Sequence, residues 1–230
     1  MFDLANPLRY DHDLVQGLQF FGLALPELTG GARFWNLCDL QRPTGRHATL
    51  TGMASPYTSA GVGWQHTARP GGYDELRNNG GNAYAEIADT PSLKLVRTLT
   101  IAFSLFLRIA QNGSIVTKAS AGAGSDGTNT NMIRVTATPT LFVTELGTNR
   151  LSATFAARIW IHMVLVSQTS GSVLYFNGQQ QATGASLSTW FNNVGPLRIG
   201  RAEGTFFSGS ETAVAGSLDA IMLYNRALTP

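Results

Sequence analysis

The sequence predicts an all-β protein built as a two-sheet antiparallel β-sandwich. Three observations support this prediction. Apolar and polar residues alternate with a period of two in several runs, Asn-Gly and glycine-rich turns separate the runs, and no segment longer than about ten residues keeps a helical period. Short strands separated by turns at regular spacing are typical of antiparallel sandwiches. The length of 230 residues suits one such domain.

The clearest strand pair is WIHMVLVSQTSGSVLYFNGQ, residues 160–179. SQTSGS predicts its first turn, and Asn177-Gly178 ends the second strand and turns the chain into QQQATG. Alternation divides the first strand into two faces, with Trp160, His162 and Val164 on one and Ile161, Met163 and Leu165 on the other.

Other strands flank this hairpin on both sides. Upstream, LTIAFSLFLRIA (residues 99–110) and IVTKAS are predicted to pair through a type I′ turn at Asn112-Gly113. MIRVTATPTLFVTE predicts two short strands around Pro139, followed by a turn centred on Gly147. Downstream, PLRIGR predicts a strand and SLDAIMLYNRALTP the last one. AGAGSDGTNTN and AEGTFFSGSETAVAG are loops by composition.

The organisation of the chain is predicted to be one domain. Residues 1–33 are expected to form an N-terminal arm and first strand, and residues 34–230 the sandwich itself. The first 90 residues are less regular, which is consistent with opening strands joined by long loops.

Charge and cysteine content exclude several classes of function. A net charge of +2 and scattered arginines argue against a nucleic-acid partner. The longest apolar run is far shorter than a membrane span, so no membrane partner is expected. The lone Cys38 is expected to be a small buried hydrophobe. The first residues lack the pattern of a secretory signal, which favours synthesis and retention in the cytosol.

No catalytic residue is predicted. A glycosidase needs two carboxyl groups about 5 to 10 Å apart, and no glutamate here has an acid two residues later. His162 is interpreted as a packed histidine bonded to a backbone carbonyl, with a functional role as the alternative. The other histidines are far apart and lack the spacing of zinc ligands.

The order of motifs resembles the laminin-G-like, concanavalin-type jelly roll. NNGGNAYAEI is similar to the family's F-D-G-x-x-D-Y-V segment, TLTIAFSLFLR to T-I-A-F-W-V, and SIVTKAS to I-V-S-K. WIHMVLV is similar to W-H-H-V-A-V, LYFNGQ to L-Y-V-D-G, and LRIG with GSLDAIMLYNRALT to L-x-I-G with G-x-I-D-E-V-R-I-Y-N-R-A-L. FWNLCDLQRPTGRHATLTGM further resembles the W-D-L-S-G…G-T-L-T-N-M lead-in of some bacterial and phage members. The resemblance implies a jelly-roll sandwich.

The resemblance also suggests candidate sites. It implies that Asp219 could bind a structural calcium with backbone carbonyls. Because Asn79-Gly80, Asn177-Gly178 and Ala220 stand where members carry acids, a hydrogen-bonded aspartate is the alternative. Phe206 and Phe207, adjacent in a glycine-rich loop, are expected either to form a binding patch or to anchor that loop. Trp190 is expected either to stack on a sugar or to pack at the rim. No other cofactor is expected.

Two functions follow from these features. The first is a non-catalytic structural module on a phage capsid or other virion surface, made in the host cytoplasm, with shell subunits or further copies of itself as partners. The alternative is a lectin-like carbohydrate-binding module, secreted or at the cell surface, with or without calcium. A degenerate glycoside hydrolase is a third hypothesis.

Overall fold

Seventeen β-strands account for nearly all the regular structure in the described part of this computed structural model. The structure describes residues 18–24, 33–36, 48–51, 63–66, 74–79, 84–110, 112–119, 130–146, 148–187, 192–200 and 212–228. The strands are β1 (Leu18–Ala24), β2 (Arg33–Asn36), β3 (Ala48–Thr51), β4 (Gly63–His66), β5 (Asp74–Asn79), β6 (Tyr84–Ile87), β7 (Leu99–Leu107), β8 (Gly113–Ala119), β9 (Thr130–Val135), β10 (Thr140–Glu145), β11 (Thr148–Thr154), β12 (Trp160–Gln168), β13 (Gly171–Phe176), β14 (Gln179–Gly184), β15 (Leu197–Ile199), β16 (Thr212–Ala213) and β17 (Ala215–Tyr224). A single-turn 3₁₀ helix, Pro91–Leu93, precedes β7.

Strand pairing arranges these elements in two sheets. The first sheet runs β4-β5-β17-β7-β12-β13-β14, with β1 beside the C-terminal half of β17. The second runs β2-β3-β6-β15-β8-β9-β10-β11. All of these pairs are antiparallel, whereas the short β16 lies parallel to β8. Because β1 also pairs with β2, the two sheets join along one edge. The predicted antiparallel β-sandwich is confirmed.

The core lies between the sheets and follows the period-two pattern in β12, whereas β7 is buried on both faces from Leu99 to Leu105. In β7 the odd-numbered residues from Leu99 to Leu107 are fully buried, and in β12 Ile161, Met163 and Leu165 point inward. The second sheet contributes side chains such as Ile133, Leu141 and Ile199 to the same cluster. The division of β12 into two faces is therefore confirmed, and its even-numbered residues form the outer face.

The hairpin of β12 and β13 and the turn into β14 are confirmed. Asn177 and Gly178 have φ angles of 49° and 77°, the left-handed values that a type I′ turn requires. β9, β10 and β15 also lie where the pattern predicts strands. No strand was predicted at the position of β11, which pairs with β10 along its whole length.

The predicted hairpin of β7 with β8 is wrong. β7 pairs with β12 and β17 in the first sheet, whereas β8 pairs with β9 and β15 in the second. β7 and β8, although consecutive in the chain, therefore lie in different sheets. Local turn chemistry could not show this, because each strand takes its partners from distant parts of the chain.

β1 pairs with β17, opposite residues such as Tyr224 and Ile221. The division into an arm at 1–33 and a sandwich at 34–230 stays a prediction, and Cys38 lies outside the described residues. Within the part of the chain described, no helix is both long and apolar enough to cross a bilayer.

Candidate functional site

Aromatic side chains line the outer face of the first sheet. Trp160 of β12 stands directly opposite Phe106 of β7, and their ring centroids are 5.6 Å apart with planes tilted by 39°. Tyr175 of β13 pairs with Val164 and lies on the same face. All three rings are half-buried, so each keeps part of its surface open to solvent.

Polar groups stand next to these rings. His162, two residues from Trp160, is exposed, and its Nδ1 lies 3.5 Å from the hydroxyl of Ser104, its partner on β7. The Asn177 side chain accepts a hydrogen bond from the His162 backbone N–H at 2.8 Å, and the Asn177 N–H donates to the His162 carbonyl at 2.8 Å. These two bonds fix the backbone that carries the imidazole.

The interpretation of His162 as a packed histidine is wrong, because its side chain is exposed. The even-numbered position puts it on the outer face, and no described element covers it enough to bury it. We name the set Ser104, Phe106, Trp160, His162 and Tyr175 the β12 face.

The β12 face combines the groups that recognise polyhydroxylated ligands. Aromatic rings offer flat apolar area, and the phenol O–H of Tyr175 adds a polar edge, whereas the indole nitrogen of Trp160 is buried. The exposed imidazole of His162 can donate a hydrogen bond and, when neutral, accept one, whereas the hydroxyl of Ser104 is buried beneath this face. A few polar groups placed among aromatic rings are typical of small-ligand sites.

The outer face of the second sheet differs, because arginines cover the rings of Tyr84 and Phe142. The Arg198 guanidinium lies 4.8 Å from the centroid of Tyr84, and that of Arg134 lies 4.6 Å from the centroid of Phe142. Arg198 is also bonded to Glu86 at 2.6 Å. Cation–π stacking of this kind occupies the ring faces that a ligand would need.

The residues predicted as sites from the sequence are only partly placed. Asp219 lies in β17 opposite Ser104, which in turn stands opposite His162, so positions 219, 104 and 162 form one row across three strands. Calcium at Asp219 stays a prediction. Phe206, Phe207 and Trp190 lie outside the described residues. In the described ranges, no three His, Cys, Asp or Glu residues are grouped as metal ligands.

The sequence analysis did not identify Phe106, Ser104 and Tyr175 as residues of the β12 face. Their strands could be recognised, but their juxtaposition with His162 depends on the pairing of β7 with β12 and β13. The available signal was the alternation itself, which places Phe106 and Ser104 on one face of β7.

A protein-family model described as the concanavalin A-like lectin/glucanases superfamily matches residues 79–230. This range includes β6 to β17 and therefore the whole β12 face. Among curated proteins, none matches the sequence.

Several solved structures share the fold at low sequence identity. The CBM40 of Ruminococcus gnavus IT-sialidase bound to α2,3-sialyllactose matches with a TM-score of 0.56 and 14% identity, covering 67% of this chain and 91% of that one. Domain 4 of AbnA, a GH43 extracellular arabinanase from Geobacillus stearothermophilus, in complex with arabinotriose, has a TM-score of 0.54 and 13% identity, covering 80% and 84%.

A sialidase from Trypanosoma rangeli in complex with the inhibitor DANA is also similar. Its TM-score is 0.59 at 13% identity, over 91% of this chain but only 31% of the sialidase chain. This chain therefore corresponds to about a third of that enzyme. At such identities the similarity shows the fold alone.

Proposed function

Because the chain belongs to the concanavalin A-like lectin/glucanase superfamily, we propose that it is a non-catalytic carbohydrate-binding module that holds glycans on the β12 face. The Trp160–Phe106 ring pair beside the exposed His162 is the observation that carries the proposal. The rings stack on the apolar side of a sugar, and His162 bonds its hydroxyl groups.

Two structural neighbours support a glycan as the ligand. The CBM40 structure contains sialyllactose and the AbnA domain contains arabinotriose, although each shares only the fold with this chain. Fold similarity alone does not define function. The chemistry of the β12 face is therefore the main support for a sugar as the ligand.

Two glutamates of the second sheet, Glu86 and Glu145, support a non-catalytic role, because arginines already pair with their carboxylates. Glu86 is bonded to Arg198 at 2.6 Å, and Glu145 to Arg150 at 3.2 Å, both in the second sheet. A glycosidase requires two carboxyl groups facing one sugar bond. Glu86 and Glu145 form ion pairs with arginines and lie in the sheet opposite the β12 face.

We propose that this module binds its glycans outside the cell, which is the alternative location predicted from the sequence. The virion-surface role, with capsid subunits or further copies as partners, has no observation in its favour and stays a prediction.

The test is a glycan array probed with the purified protein, followed by affinity measurements on the glycans that bind. We expect Trp160→Ala to weaken binding by about tenfold or more, since buried aromatic contacts dominate such interfaces. His162→Ala should weaken it less. The matched control is Phe142→Ala, which removes a half-buried ring from the outer face of the second sheet and should leave affinity unchanged.

Two results would contradict the proposal. One is an array without binding at high protein concentration. The other is a glycan whose affinity is the same for wild type and Trp160→Ala but lower for Phe142→Ala.

A further inference from the structure

Lys118, at the end of β8, is a fully buried cation surrounded by oxygen atoms. Its side chain is 0% exposed, and its ammonium donates hydrogen bonds to Asp89 Oδ1 at 2.6 Å, the Asn193 carbonyl at 2.7 Å and the Gly195 carbonyl at 2.8 Å. The side-chain oxygen of Asn193 lies 3.4 Å away. The three N–H groups of the ammonium therefore have three close oxygen acceptors, and a fourth oxygen atom lies slightly farther away.

These oxygens come from two connections at the same end of the second sheet. β6, β15 and β8 are neighbours, and Leu197 pairs with both Ile87 and Lys118. Asp89 follows β6, whereas Asn193 and Gly195 precede β15. Asn193 also donates its side-chain N–H to the Lys118 carbonyl at 2.7 Å, which completes a reciprocal contact. One ammonium thus joins both connections to β8.

A carboxylate, two backbone carbonyls and an amide oxygen are also the ligands that hard cations take in proteins. We propose that Asp89, Asn193 and Gly195 form a cation site that the chain fills with its own Lys118 ammonium, and that this site accepts a free small cation when the lysine side chain is removed. The lysine takes the place of a structural metal ion at this end of the sandwich.

The chain offers a direct comparison with an ordinary surface ion pair. The only other lysine of the sequence, Lys94, lies 3.5 Å from the same Asp89. The Lys94 side chain is 32% exposed, and among the described residues its ammonium contacts a carboxylate and no backbone carbonyl. An exposed pair of this kind contributes little to stability, because both ions remain solvated. Burial and the two carbonyls distinguish Lys118.

The test compares Lys118→Ala, Lys118→Met and Lys94→Ala by thermal unfolding. We expect Lys118→Ala and Lys118→Met to lower the unfolding midpoint by about 10 °C, since each leaves the Asn193 and Gly195 carbonyls without their hydrogen-bond donor and Asp89 with only the more distant Lys94. Lys94→Ala should change it by about 1 °C or less.

Each variant is then titrated with ammonium, n-propylammonium or calcium chloride, against tetramethylammonium chloride at equal ionic strength. Lys118→Ala should regain several degrees with at least one small cation in a concentration-dependent way, because binding to the folded state alone stabilises it. Lys118→Met should not respond, because the longer side chain fills the space. Wild type should not respond either.

The proposal is overturned if no small cation raises the midpoint of Lys118→Ala above the tetramethylammonium value. It is also overturned if Lys118→Met responds equally, which would indicate a general salt effect. Should Lys118→Ala not fold in plain buffer, recovery of the native circular dichroism spectrum in a small-cation salt supports the site. Failure to fold in every salt overturns it.

Discussion

Burial and charge pairing act in opposite directions on the Lys118 side chain. Burial lowers the pKa of its ammonium from the ordinary value of 10.5, and this effect exceeds the opposite effect of the hydrogen bond and charge of Asp89. The nearby Lys94 lowers the pKa further. Asp89 and Lys94 are the charged groups that act on it, while the 192–196 segment contributes only uncharged oxygens.

The lowered pKa predicts how stability depends on pH. Between the folded-state pKa of Lys118 and 10.5, the unfolded chain holds a proton that the folded chain has lost, so the free energy of unfolding rises with pH. We expect the difference in unfolding free energy between wild type and Lys118→Met to shift in favour of wild type across this window. Urea unfolding of both proteins at several pH values up to 10.5 measures it.

All other titrating groups are shared by the two proteins, so the difference reports Lys118 together with its coupling to Asp89 and Lys94. A difference that stays constant, or that moves in favour of Lys118→Met as the pH rises, would contradict the lowered pKa.

Single residues are also where the sequence was least informative. Alternation correctly placed His162 on the face opposite Met163, but it could not show that this face is open to solvent at that point. For Lys118, the run SIVTKAS predicts a strand. Burial of the lysine, however, depends on oxygen atoms of Asp89, which is 29 positions away in sequence, and of Asn193 and Gly195, which are 75 and 77 positions away. Such partners have no local signal.

At the scale of elements, the close approach of β17 to β7 positions the β12 face. Gly216 lies opposite Leu107 and is buried, and a Cβ there would overlap the backbone carbonyl oxygen of Phe106. Gly178, in the turn between β13 and β14, has open space around it, but its φ is 77°. The first glycine is required by contact and the second by conformation.

These two glycines predict different costs of substitution. Gly216→Ala should lower the free energy of unfolding by about 3 kcal/mol, because β17 must move away from β7. Gly178→Ala should cost about 1–2 kcal/mol, the penalty of a left-handed conformation. Denaturant unfolding of both variants checks the order. An equal or smaller loss for Gly216→Ala would show that the two strands separate easily.

Elements were predicted well where the signal was local. Alternation on both sides of SQTSGS and the Asn177-Gly178 turn was enough for β12, β13 and β14, because these strands pair with their neighbours in sequence. The same reasoning failed at Asn112-Gly113. There the strands on either side enter different sheets, and burial of β7 and β8 against distant partners outweighs the turn preference.

At the scale of the whole molecule, the two outer faces have different chemistry. The first sheet presents Trp160, Phe106 and His162, whereas Phe142 and Tyr84 of the second sheet are covered by Arg134 and Arg198. The sandwich itself could be predicted from alternation, turns and motif order. The β12 face could not be predicted in full, because β7, which supplies Phe106 and Ser104, lies more than 50 positions before the β12 residues opposite them.

Glycan binding on the β12 face is the central claim made here for this protein. The most direct measurement is a two-dimensional ¹H–¹⁵N NMR titration of the labelled protein with a glycan selected on the array. We expect the largest amide shifts at Phe106, Trp160, His162 and their neighbours on β7, β12 and β13. Shifts confined to the second sheet, with these amides unchanged at saturation, would contradict it.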